Sequence, residues 1–222
     1  LLITIDGPAG AGKTTVSRNL ADRLGYRYID TGALYRAVAL VSKEQGVRPD
    51  DDNGLTRLCA ELDLEFVRTE KGTRLLNHGR DLTDQIRQPD ITMLASAVSA
   101  RSPVRDCLLS VQREMGKQKS AVFEGRDMGT VVFPDADVKF YLFASEQTRA
   151  YRRFLELKDH RNLSFEDVAR DMKERDRNDS NRSLAPLKPA QDAIRIDSTE
   201  LGIEAVVEHM LQHVRRVAQE GR

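Results

Sequence analysis

Short apolar runs alternate along the chain with longer stretches in which apolar positions recur every three to four residues. The runs at residues 1–5, 26–29, 121–123, 138–143 and 193–196 each end within two residues of an acid or a hydroxyl-bearing side chain. Continuous apolar runs separated by helical periodicity predict βαβ units and a parallel sheet, with ligands at the carboxyl ends of the strands. Helix ends are marked as well. Ser102-Pro103 opens a helix that Gly116 closes, and Ser164-Phe-Glu-Asp167 has the spacing of a capping box. Over about 62–88 the period changes. Leu64-Glu-Phe-Val67, a turn at Glu70-Lys-Gly72, Arg74-Leu-Leu-Asn77 and a second turn at His78-Gly79 predict a small antiparallel insert.

Between the first strand and the helical run that starts at Thr15 lies Gly7-Pro8-Ala9-Gly10-Ala11-Gly12-Lys13-Thr14. This is the GxxxxGK[ST] pattern in the strand–loop–helix setting that gives it meaning. Its glycines let successive backbone N–H groups converge on phosphate oxygens at the positive end of a helix. Lys13 is placed to reach the β and γ phosphates, Thr14 offers a hydroxyl to Mg²⁺, and Thr15 backs the cradle. ATP and Mg²⁺ are therefore the expected cofactors, and a turn that merely capped a strand would have no use for the lysine.

Composition narrows the field. The 222 residues fit one α/β domain, expected over 1–222, and 35 basic residues balance 35 acidic ones, so no global field favours nucleic acid or an anionic membrane. No apolar run is long enough to span a bilayer or to serve as an export signal. Cys59 and Cys107 form no CxxC pair and read as core residues of a reducing, cytoplasmic compartment. His78, His160, His209 and His213 read as solvent-facing; the four-residue spacing of the last two would make a metal pair only with a third ligand.

Asp30-Thr31-Gly-Ala-Leu-Tyr35-Arg36 opens a helix at a strand end, where a hydroxyl, a ring and a guanidinium can surround one ligand, with Arg36 forking onto a phosphate. Glu124-Gly-Arg126-Asp127 follows another strand. Arg126 can span two phosphates there, while Asp127 holds a magnesium-bound water or orients an arginine; both acids also fit loop capping. Residues 149–182 carry ten basic and eight acidic side chains. Arg149, Arg152 and Arg153 share one helix face, and Arg175, Asp179 and Arg182 border a polar loop before Pro186. A helical lid over about 149–188 is expected to bring arginines to the transferring group and to exclude water.

The four segments Gly7 to Thr15, Asp30 to Arg36, Glu124-Gly-Arg-Asp-Met-Gly-Thr130 and Asn181-Arg-Ser-Leu-Ala-Pro186 occur in this order in a chain that resembles the bacterial cytidylate kinases over nearly its whole length. The resemblance implies a P-loop kinase with a central parallel sheet flanked by helices, a small antiparallel monophosphate-binding insert and a helical lid. It implies phosphorylation of CMP and dCMP, and of UMP more weakly; a monomer is expected. Carried onto this sequence, it puts Arg36 and Arg126 on the acceptor phosphate, with Ser96, Arg105 and Arg182 around the base. Arg175 and Asp179 complete the phosphate and ribose contacts, and Arg152 joins the ATP site. Glu124 stands where some relatives carry aspartate, and Thr14 where some carry glycine. Glu124 or its neighbour is expected to accept from the cytosine amine. The rival readings are another small-molecule kinase on this scaffold, of UMP, shikimate or dephospho-coenzyme-A type, and a nucleotide-dependent switch.

Overall fold

A computed structural model describes residues 1–70, 72–157 and 164–220; Lys71 in the first insert turn, His160 and part of the expected lid lie outside the described residues. The chain divides into two compact units, one formed by Leu1–Tyr28 with the chain from Lys119 onward, the other by Ile29–Gln118.

The larger sheet has the strands β1 (Leu2–Asp6), β2 (Arg27–Asp30), β6 (Ala121–Gly125), β7 (Val138–Phe143) and β8 (Ile194–Asp197), in the order β2-β6-β1-β7-β8, and all but β2 lie wholly in the first unit. β1 pairs in parallel with β6 and β7, and β7 with β8. The predicted limits hold to within about two residues, because strands covered on both faces read as unbroken apolar runs. Register matters for the chemistry: Ile5 lies opposite Glu124, and Asp6 opposite Gly125 and Tyr141, so three acidic or phenolic groups reach one sheet margin. Ile3, Ile5, Val122, Phe140 and Leu142 pack with helices α1 (Lys13–Leu24) and α8 (Ile203–Glu220). Each fully buried side chain of this size contributes roughly 1.5–3 kcal/mol. Helices α6 (Glu146–Leu157) and α7 (Phe165–Asn181) pack on one another through Ala150, Val168 and Met172, and Ala9 of the glycine-rich loop joins that cluster.

The second unit contains α2 (Thr31–Glu44), α3 (Asp52–Ala60), α4 (Pro89–Val98) and α5 (Ser102–Gly116) around Leu34, Leu55, Leu58, Val98 and Leu108. Its antiparallel sheet, β3 (Leu64–Thr69), β4 (Gly72–Asn77) and β5 (Arg80–Asp81), is the predicted insert. Leu64 and Leu75 of that sheet join the same core. α5 begins and ends where Ser102-Pro103 and Gly116 place it. Cys59 and Cys107 are both reduced, the first buried and the second half-buried.

His78 is exposed in the β4–β5 turn and His209 is exposed on α8, as expected. His213 differs: it is half-buried, its ring edge-on to Phe140 at 6.4 Å. Among the described residues no helix is long and apolar enough to cross a membrane.

Candidate active site

The glycine-rich loop is held by close backbone approaches. A Cβ on Gly7 would lie 1.9 Å from the Leu142 carbonyl oxygen, and one on Gly10, which has φ +72°, would lie 2.8 Å from the Arg149 oxygen. Neither position admits a side chain without shifting backbone. From α6, Arg149 is buried and donates to the oxygens of Ala144 (3.1 Å) and Ala9 (3.0 Å) and to Asp176. Arg152 donates to Ser198 Oγ (3.1 Å) and O (2.6 Å), and Ser198 Oγ in turn reaches the Ala11 oxygen at 3.1 Å. Arg153 is half-buried and pairs with Glu156. The shared face therefore separates into three tasks. Arg149 braces the loop backbone, Arg152 lies behind the loop, and Arg153 faces solvent.

Lys13 begins α1 and is buried, its Nζ folded back onto the Pro8 oxygen at 2.8 Å. Burial, and then repulsion by Arg126 and Arg175, lower its pKa to about 7, with Glu124 and Asp6 acting the other way. Thr14 and Thr15 are exposed. Thr14 Oγ donates to Glu124 Oε1 at 2.8 Å. A hydroxyl and a carboxylate thus meet at the adjoining ends of β1 and β6, and hard oxygen donors of this kind suit Mg²⁺. Asp127 is buried, with its Oδ1 3.6 Å from Arg182 Nη2.

Arg126 Nε donates to Asp179 Oδ2 at 3.0 Å, and Arg182 Nε to the Ala185 oxygen at 2.7 Å. Burial pushes the Asp179 carboxyl up, but Arg126, Arg175 and Arg182 together hold it below its ordinary value. Lys13, Thr14, Glu124, Arg126, Asp127, Arg175, Asp179 and Arg182 are accordingly brought together within the first unit.

The second unit gathers the others. Asp30 caps α2, its Oδ1 accepting from the Ala33 N–H at 3.1 Å, and its Oδ2 accepts from Arg36 Nη2 at 2.7 Å. Thr31 is buried at the same helix start. Arg105 lies over the Tyr35 ring at 5.6 Å and donates to the Ser99 oxygen at 3.1 Å; Ser99 Oγ reaches the Ser96 oxygen at 2.9 Å. Arg36 Nε is buried without a hydrogen-bond partner among the described residues, a donor that a ligand would satisfy.

A model of the family described as cytidylate kinase matches residues 3–216. The chain belongs to the cytidylate kinase family. It is 51% identical to a cytidylate kinase of Geobacter sulfurreducens over 97% of this chain and 93% of that one. It is 46% identical to one of Pseudomonas aeruginosa over 97% and 95%. A solved gluconokinase from Sinorhizobium meliloti shares the fold at 14% identity and TM-score 0.50, over 98% of this chain and 93% of that one.

Sequence reasoning missed two acids that hold these candidate side chains in place. Asp6, at the end of β1, accepts from the N–H groups of Met128 (2.9 Å) and Gly129 (2.8 Å) and so pins the segment that carries Arg126 and Asp127. Burial pushes Asp6 up to about 6 against those two donors. Asp30 orients Arg36. Its position as an N-cap six residues before that arginine was a local signal for it; Asp6 had none.

Proposed function

We propose that the chain transfers the γ-phosphoryl group of ATP directly onto the phosphate of CMP or dCMP. The reading rests above all on the convergence of Lys13, Arg126 and Arg175 around the glycine-rich loop, in a chain that belongs to the cytidylate kinase family. Donor and acceptor are both anionic, so their approach needs cations that are already in place. Loop N–H groups and Lys13 hold the β and γ phosphates, and Arg126 and Arg175 face the charge that spreads over the transferring group. Arg152 and Thr15 support the ATP side. The acceptor phosphate, with a second pKa of about 6, is ionised near neutral pH and requires no general base.

Mg²⁺ would be held by Thr14, with Glu124 as its nearest carboxylate and Asp127 further along the same segment; bound there it would neutralise phosphate charge. For the acceptor, the second unit offers Arg36 to the phosphate, Ser96 and Arg105 to the base, and Thr31 and Tyr35 beside them; the first offers Arg126 to the phosphate, Arg182 and an acidic neighbour at Glu124 or Asp127 to the base, and Asp179 to the ribose. Residues 62–88 serve the acceptor and 149–188 form the lid of one kinase domain over 1–222. The protein acts as a cytoplasmic monomer without nucleic-acid or membrane partners.

An ADP-release assay across CMP, dCMP, UMP, AMP, shikimate and dephospho-coenzyme A tests this. Cytosine presents an amine where uracil presents an oxygen, and an acceptor left facing that oxygen costs roughly 1–3 kcal/mol, or about one to two decades in kcat/KM. Equal kcat/KM for CMP, UMP and AMP would overturn the pocket, and turnover only of the hydroxyl acceptors would overturn the reaction class.

A further inference from the structure

His209 and His213 stand one turn apart on α8, outside the site described above, with their Nε2 atoms 3.2 Å from one another and their rings stacked at 5.1 Å and 21°. Two ring nitrogens facing each other at this distance cannot both carry protons; they share either one proton or one ion. Imidazole nitrogens that bind a common ion at about 2.0–2.1 Å, with an angle between them of about 90–110°, lie roughly 2.8–3.4 Å apart. The observed separation falls inside that interval. We propose that His209 and His213 form a two-imidazole site for a divalent transition-metal ion of the zinc, nickel and copper class, coordinated through both Nε2 atoms and completed by water.

The pair is ordered before any ion arrives. His213 is half-buried with its ring edge-on to Phe140, while His209 is exposed and supplies the entry path. Little side-chain freedom remains to be lost at His213 on binding. The i, i+4 spacing puts both rings on one face of the helix, as in other helical two-histidine metal motifs. Among the described residues no group of three histidine, cysteine or acidic ligands occurs. Water therefore supplies the third ligand that the spacing calls for and fills the remaining positions, which makes the site open and exchangeable. Nitrogen donors select zinc, nickel and copper over magnesium and calcium, which prefer oxygen. The site is thus chemically distinct from the oxygen donors at Thr14 and Glu124. Arg216 is exposed, so solvent screens its repulsion of an incoming cation, and Glu208 pairs with Arg23 and Arg215. α8 packs on α1, the helix that Lys13 begins, so an ion clipping two turns of α8 would stiffen a support of the phosphate loop.

The test uses untagged, nucleotide-free protein in chelator-treated buffer. Calorimetric titration with Zn²⁺ and with Ni²⁺ should give one ion per chain and a rise in melting temperature, with Mg²⁺ in excess failing to compete. H209A, on the exposed side of the pair, should weaken binding roughly tenfold or more, the scale on which even supporting residues of metal sites act. Its metal-free melting temperature and its kinase activity with Mg²⁺ should match those of the parent chain. Copper loaded at the site should show two nitrogen donors by electron paramagnetic resonance, and one in H209A. Wild-type affinity retained in H209A, a loss of binding in C107S instead, or no binding of either ion by the parent chain would each overturn the proposal.

Discussion

Lys13 is 6% exposed and lies beside Arg126 and Arg175, which is why its pKa falls to about 7. A polyphosphate in the loop would favour the ammonium form and return that pKa upward. Binding of ATP near pH 8 should therefore take up close to one proton, and near pH 6, where the lysine is charged both free and bound, close to none. Calorimetry in buffers of differing ionisation enthalpy reads the proton directly. K13M should abolish the uptake, and undiminished uptake in K13M would assign it elsewhere. Asp6 works by geometry. D6N keeps the size of the side chain but turns an amide donor toward one of the two N–H groups it now accepts from, loosening the segment that carries Arg126 and Asp127. Loss of a charged hydrogen bond of roughly 1.5–3 kcal/mol corresponds to a fall of about one to two decades in kcat/KM for CMP. Steady-state kinetics on D6N, with a melting curve to establish folding, checks it.

At the scale of elements, Ser164 ties the start of α7 to the function of its far end. Its side chain accepts from the Asp167 N–H at 3.1 Å and donates to the Asp167 carboxylate at 2.7 Å, and the helix so begun carries Arg175 and Asp179. S164A should weaken that cap by about 1 kcal/mol. Hydrogen exchange in the first turn of α7 should then quicken by roughly fivefold while the strands of the central sheet are unaffected; unchanged exchange would show the cap to be idle. Elements like this were legible because their signals are local: capping residues, a proline at a helix start, apolar runs that end at a sheet margin. Side-chain assignment was less so. The spacing of Arg149, Arg152 and Arg153 fixes a shared face, but whether each meets the loop backbone, Ser198 or solvent depends on what α6 packs against, which periodicity does not carry. The bond from Asp6 spans 122 residues to Met128, so no neighbouring residue announced it. Glu124 is legible as an acid at a strand end, but that its Oε1 accepts from the Thr14 hydroxyl follows from the pairing of β6 with β1, which the local pattern does not carry.

At the scale of the molecule, the two compact units carry different halves of the chemistry. Lys13, Arg126 and Arg175 belong to the first, and Arg36, Tyr35 and Arg105 to the second. Each unit has its own hydrophobic core, so a substitution at the surface of one need not disturb the other. This yields a double dissociation. R36M removes a guanidinium whose Nη2 is held by Asp30 and whose Nε is buried without a partner among the described residues, so it should raise the KM for CMP by about one to two decades, the size of a charge-assisted bond. Its affinity for ATP, measured by calorimetry without acceptor, should stay within about twofold of the parent value, roughly 0.4 kcal/mol, since the residues assigned to ATP all belong to the other unit. K13M should do the reverse, losing ATP affinity while binding CMP as the parent does. An R36M protein that folds normally but loses ATP affinity along with CMP would mean that Arg36 serves both nucleotides, and the division of labour between the units would have to be redrawn.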